Sequence, residues 1–203
     1  MTNINQAAFF QKHLNVCFSG HRPNKLPNQG DLSQPAMNAV YHDLLIMIDN
    51  AVTEGKSNLI HGMMSGFDIM CRRSSFRIKK APAYPADIGA SVYRKSFLMT
   101  KEWYGDWARR ATSVYKESDC RVCLAKSYYP QVYYDRNKWM IEHSSLLICY
   151  QSSGRGGTAY TVNSAEKNGV PVINSPLSGQ VNRRKTVSIL NKRTAFQKRQ
   201  SVQ

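Results

Sequence analysis

LLICYQSSGRGGT, residues Leu146 to Thr158, is an uncharged apolar run that gives way to a loop containing Gly154, Gly156 and Gly157. A short apolar run bounded by turn residues reads as a buried strand, and Thr158 with the residues after it reads as a helix start. Such a junction suits an anion. The first turn of a helix leaves backbone N–H groups unpaired and carries partial positive charge, so a phosphate is held there without a dedicated side chain. The glycines let that backbone come close to a ligand. A second junction of this kind lies near the start of the chain, where Leu14 to Phe18 (LNVCF) runs into Ser19-Gly20-His21-Arg22-Pro23. Two strand-to-loop mouths predict one shared nucleotide crevice.

Around these junctions apolar runs alternate with amphipathic stretches. Strands are expected at Leu14–Phe18, Ser57–His61, Ile88–Tyr93, Arg121–Ala125, Leu146–Tyr150 and Val170–Ile173. Helices are expected over Pro35–Val52, from near Phe67, and over Glu102–Glu117, Asp135–His143 and Thr158–Asn168. Helical crossovers between strands make the sheet parallel. The predicted fold is therefore a Rossmann-like, three-layer α/β/α arrangement with a mainly parallel sheet, whose ligands bind beyond the carboxyl ends of the strands.

A chain of 203 residues is only modestly longer than a typical domain of about 150. We expect one domain over residues 1–174 and a basic tail over 175–203. No stretch approaches the roughly 18 apolar residues of a membrane span, and MTNINQAAFF lacks the basic-then-apolar order of a secretion signal. The expectation is a cytoplasmic protein that does not enter a membrane. Cys17, Cys71, Cys120, Cys123 and Cys149 form no even disulfide framework and read as reduced, buried thiols. Cys120 and Cys123 form a lone CxxC, half of a structural zinc site at most, so no metal is expected.

The formal charge is +15, and its distribution is uneven: no acidic residue follows Glu166. Arg183, Arg184, Lys185, Lys192 and Arg193 lie in the tail with no acid to offset them. Such a tail is either a solubilising segment or a sequence-independent grip on nucleic-acid phosphates that weakens steeply with salt.

CFSGHRP after the first strand, HGMMSGFD after the second, RNKWMIEHSSLLICY before the last loop and GRGGTAYTVNSAEKNGVPVIN beyond it together resemble the SLOG superfamily, near its YpsA-like branch. That superfamily also includes the Lonely Guy phosphoribohydrolases and the DNA-processing protein DprA. The resemblance covers residues 15–68 and 128–174 in the expected order. Residues 71–119 depart from it: Cys71-Arg72-Arg73 stands where relatives carry a small residue and an acid, and SSFRIKKAPAYPAD is basic and broken by prolines. Lonely Guy enzymes carry GGxGT, two residues and then a glutamate, and an arginine four residues before a methionine. Arg136 and Met140 match the second pattern, whereas the glutamate position falls on Thr161. Threonine cannot act as a carboxylate acid or base, which favours ligand binding over glycosidic hydrolysis.

The expected ligand contacts are Gly156, Gly157 and Thr158 for phosphate, with the loops Ser19, Gly20, His21, Arg22 and Gly62, Met63, Gly66, Asp68 for base or ribose. The resemblance turns Arg136 toward the pocket, and its planar fork suits phosphate. Thr158 and Asp68 each have an alternative role as helix caps, and His21 as a packing or backbone-bonding residue. Tyr128, Tyr129, Tyr133 and Tyr134 either stack bases or rim the pocket. The function expected is binding of a nucleotide or nucleotide-derived ligand by a sensor, sequestering factor or regulator, with no cofactor built in. Cleavage of a nucleotide N-glycosidic bond and nucleic-acid binding in the manner of DprA are the alternatives, and self-association stays open.

Overall fold

The computed structural model describes residues 11–71, 86–93 and 106–175. Six strands, β1 (Asn15–Gly20), β2 (Asn58–His61), β3 (Ala86–Tyr93), β4 (Cys120–Ala125), β5 (Leu146–Tyr150) and β6 (Val172–Asn174), form one sheet. The helices are α1 (Pro35–Thr53), α2 (described over residues 67–71), α3 (Trp107–Glu117), α4 (Val132–Glu142) and α5 (Gly157–Lys167). Every strand pair is parallel and the order is β4-β3-β2-β1-β5-β6. The chain is thus a Rossmann-like α/β fold, as its strand–helix rhythm predicts.

Alternation along the central strands builds two cores. Val16 and Phe18 of β1 and Leu146, Ile148 and Tyr150 of β5 pack with Val40, Leu44 and Ile48 of α1, Phe67 of α2 and Ala111 of α3. The intervening Cys17, Leu147 and Cys149 face the opposite side and pack with Met140 and Ile141 of α4 and Ala165 of α5. Residues two apart on a strand share a face, so a strand that is apolar at every position requires cover on both sides. The run LLICY meets that condition, with each residue at most 7% exposed. Burial of this kind is the main favourable term in the fold.

At the strand N-termini a polar lock fixes the central register. Asn15 donates to the His143 carbonyl at 2.7 Å and Asn58 donates to Asn15 Oδ1 at 2.6 Å, both from side-chain amides. Lys56 Nζ donates to the His13 carbonyl at 2.7 Å and to Ser145 Oγ at 2.6 Å. The opposite ends of β1 and β5 are left to the loops. Connections run from β1 outward to β4 and then return to β5 on its other side, so β1 and β5 flank the switch point where ligands of such sheets bind.

Several boundaries differ from the sequence reading. β1 continues to Gly20 because Ser19 and Gly20 pair with Cys149 and Tyr150, while Leu14 ends a short 3-10 turn. β6 starts at Val172 rather than Val170. The Val170 N–H is taken by the Ala165 carbonyl at 2.9 Å, and Pro171 has no N–H to offer. The thiols also need correction: Cys17, Cys71 and Cys149 are buried, but Cys120 is half-buried and Cys123 exposed. β4 is an edge strand whose residues alternate between partial cover and solvent. Positions three apart on a strand face opposite ways, so the CxxC sulfurs diverge. The tail cations Arg183, Arg184, Lys185, Lys192 and Arg193 lie outside the described residues, as do 72–85 and 94–105.

Candidate functional site

Three loops meet above the β1–β5 seam, and small residues let them meet. Gly66 has φ +96°, and a Cβ there would lie 2.4 Å from the His21 carbonyl oxygen, which accepts the Phe67 N–H at 3.2 Å. A Cβ on Gly20 would lie 2.4 Å from Phe67 Cβ. The loop after β1 is therefore pressed against the start of α2. His21 ties it to the third loop: its Nε2 accepts the Ser152 N–H at 2.9 Å, and its ring meets Tyr150 edge-on at 5.9 Å. An accepting Nε2 must carry a lone pair, so this imidazole is neutral with its proton on Nδ1. Burial, with help from nearby Lys25, lowers its pKa in agreement with that tautomer.

Beneath these loops lies a buried charged network. Arg136 is 6% exposed. Its Nη1 donates to the Gly62 carbonyl at 2.5 Å, and Nε and Nη2 both donate to Asn137 Oδ1, at 3.0 and 2.7 Å. A guanidinium has five N–H groups; these bonds use three and leave one on each terminal nitrogen. Burial lowers the Arg136 pKa to about 10, against which Asp68 acts. Asp68 is buried in the first turn of α2 and accepts the Met64 N–H; burial raises its pKa, while Arg136, Arg22 and His61 pull it down. Gly62 separates the two: a Cβ there would stand 2.5 Å from Asp68 Oδ2 and 2.8 Å from Arg136 Cζ. The network continues to α5. Asn137 Nδ2 donates to Thr161 Oγ1 at 2.8 Å, and that hydroxyl donates to the Gly157 carbonyl at 2.8 Å. Thr161, where the resemblance places a glutamate, is fully buried and occupied by this relay.

The first turn of α5 is open. Gly156 is its N-cap, with φ +97° and no side-chain cap. A Cβ on Gly154, Gly156 or Gly157 would meet nothing within 4 Å. Thr158 lies inside the first turn and is buried, so it does not serve as the cap. This turn faces a cleft of about 390 Å³ lined by Ser19, Gly20, His21, Arg22, Asp68, Arg136, Gly156, Gly157 and Thr158. Nine of the expected contacts thus share one concavity at the switch point. A larger concavity of about 630 Å³, between Asn28–Asp31 and the start of α3, lies elsewhere and shares no residue with it.

Gly62, Met63 and Gly66 stand behind the wall instead. Gly62 and Gly66 supply close approaches, whereas Met63, with φ +53° and 2% exposure, is buried against Gly89. Lys138 points outward, 3.8 Å from Glu142. The cleft also contains Asn24, Lys25, Met64, Tyr133, Tyr134, Asn137 and Arg155. Arg155 sits inside the glycine loop and Asn137 beside Arg136, so adjacency in sequence could have found both. Lys25 is brought in by a 3-10 turn, Pro23–Lys25, that no periodicity announces. At the rim Tyr134 and Tyr160 meet edge-on at 4.7 Å and are 43% and 40% exposed.

No protein-family model matches the sequence, and no curated protein matches it. Solved structures do match in fold. One is DNA processing protein A from Helicobacter pylori, described with its single-stranded DNA binding mode: TM-score 0.57, 15% identity, 86% of this chain and 70% of that one. Another is DNA processing protein A (DprA) from Streptococcus pneumoniae: TM-score 0.55, 14% identity, 84% of this chain and 52% of that one. The chain therefore spans about half the length of the Streptococcus protein. At such identities the similarity establishes the shared Rossmann-like architecture.

Proposed function

We propose that the cleft binds a nucleotide or nucleotide-derived ligand, with a phosphate on the open first turn of α5. One observation carries the reading. The uncapped Gly156–Gly157 turn and a buried arginine line the same concavity. A helix's first turn leaves backbone donors unpaired, and a phosphate satisfies them with charge-assisted bonds. Tyr133, whose ring lies under the Arg136 guanidinium at 5.8 Å, and Tyr134 line the same wall, beside which a base would sit. Binding rather than N-glycosidic cleavage is favoured because Thr161 occupies the expected carboxylate position and is engaged in a structural bond.

The test is a thermal-shift panel of nucleoside monophosphates and diphosphates with the four common bases. A ligand at about 100 times its Kd adds roughly 2.7 kcal/mol, which raises Tm by about 5–10 °C for a chain of this size. No shift with any of them at millimolar concentration sinks the proposal. A second reading, binding of single-stranded nucleic acid, draws on the exposed Tyr134–Tyr160 pair beside the cleft and on the Helicobacter protein's described binding mode. A fluorescent oligonucleotide titrated across a salt series tests it, since phosphate-backbone binding weakens log-linearly with salt.

A further inference from the structure

Resting on the nucleotide reading, we infer that His21 is the positioning residue of the phosphate-binding loop. Neutral, it holds the loop through the Ser152 N–H; protonated, it releases the loop and loosens the grip on phosphate, so that acid weakens binding. The inference starts from how little else holds that loop. Ser152 to Gly157 are exposed, and a Cβ on Gly154, Gly156 or Gly157 would meet nothing within 4 Å, so packing does not fix them. Gln151, just before them, is tied to β6: its N–H donates to Asn174 Oδ1 at 2.9 Å and its carbonyl accepts from Asn174 Nδ2 at 3.1 Å. The bonds made by Ser153 stay inside the loop, with Gln151 and Arg155. Among the described residues, the 2.9 Å bond from the Ser152 N–H to His21 Nε2 is then the one hydrogen bond that joins residues 152–155 to another element.

The imidazole is a rigid post for that bond. It is 5% exposed, its ring meets Tyr150 edge-on, and its own carbonyl accepts the Phe67 N–H. An imidazolium donates from both nitrogens, so a proton on Nε2 would oppose the Ser152 N–H, and turning the ring restores no acceptor. The charged groups around the ring keep it neutral near pH 7. Arg22 and Lys25 stand on its own loop, Arg136 on α4 and Arg155 in the glycine loop, against Asp68 on α2 and the phenol of Tyr150 on β5. Asp68 is itself engaged by Arg136 and Arg22, while burial and Lys25 lower the His21 pKa. A lowered pKa means that the latch is closed at neutral pH and opens only below the ordinary value of 6.5.

The experiment is calorimetric titration of the intact chain with AMP, GMP, CMP and UMP from about pH 7.5 down to about pH 5. It is repeated on His21→Gln, whose side-chain oxygen accepts near the Nε2 position without titrating. A phosphate monoester itself titrates near about pH 6, but it does so for both proteins, so the ratio of their affinities isolates His21. We expect the parent's affinity relative to His21→Gln to fall about threefold to tenfold across the range, the size of one hydrogen bond. In the unliganded parent, the Ser152, Gly154, Gly156 and Gly157 amide resonances should move with the titration of the His21 Cε1–H, and they should stay in place in the variant. A constant ratio overturns the inference and leaves the nucleotide reading standing. A ratio that rises in acid also overturns it, since the imidazolium then contacts the phosphate directly. Binding by none of the four at any pH overturns the nucleotide reading and the inference together. Amide resonances that ignore the His21 titration overturn the latch independently of any ligand. Circular dichroism at each pH confirms that both proteins are folded before their affinities are compared.

Discussion

Replacing Arg136 with methionine should destabilise the protein by about 3 kcal/mol near neutral pH, because the change removes one partner of a buried charged group. The magnitude follows from what is left behind. The Gly62 carbonyl loses its 2.5 Å donor and Asn137 Oδ1 loses two donors. Asp68, buried in the wall of the cleft, loses the cation that does most to offset its burial. Methionine fills much of the volume, so the deficit is electrostatic rather than a cavity. That gives the deficit a pH signature. A carboxyl whose folded pKa is raised binds its proton more tightly in the folded chain than in the unfolded one. The stability it contributes is present in acid and lost as pH rises through the folded pKa. Removing Arg136 raises that pKa further, so the gap between variant and parent should narrow as pH falls from neutral to about 5. Urea denaturation followed by circular dichroism measures both. Arg136→Met combined with Asp68→Asn should recover at least about 1 kcal/mol relative to the sum of the single changes. A deficit under about 0.5 kcal/mol, or one that stays constant with pH while the pair adds independently, refutes the network.

Three further outcomes are expected. Gly20→Ala should lower Tm by several degrees, since its Cβ would sit 2.4 Å from the Cβ of fully buried Phe67 and overpacking costs about 1–3 kcal/mol; an unchanged melting curve argues against the loop contact. For His21, whose pKa is lowered by burial, the stabilisation is present above the ordinary value of 6.5 and is lost as pH falls below it. His21→Gln should flatten that part of the stability–pH curve, and an equal slope in parent and variant would count against the neutral tautomer. Gly157→Ala should leave Tm nearly unchanged, as nothing lies within 4 Å of the added methyl, yet weaken nucleotide binding by about tenfold by crowding the phosphate position; the dissociation of the two effects is read by thermal shift with and without ligand.

The sequence by itself determined the layered parallel fold and the place where two strand-end loops meet. Periodicity and glycine spacing are local properties, and LLICY followed by QSSGRGGT shows both within a few residues. β5 spans the residues that its apolar run marked out, whereas β1 loses Leu14 to a 3-10 turn and gains the two residues its partner strand pairs. What the sequence left open depended on neighbours far along the chain. Whether Arg136 is solvated or buried depends on the Gly62 carbonyl, 74 residues away. His21 became a latch through Ser152, 131 residues away. Thr161 became a structural link through Asn137, 24 residues away. Met63 turned into the wall, and Lys25 was carried to the cleft by a turn without a periodic signature. A side chain's role follows from the field and the hydrogen-bond partners around it, and only folding brings those partners within reach.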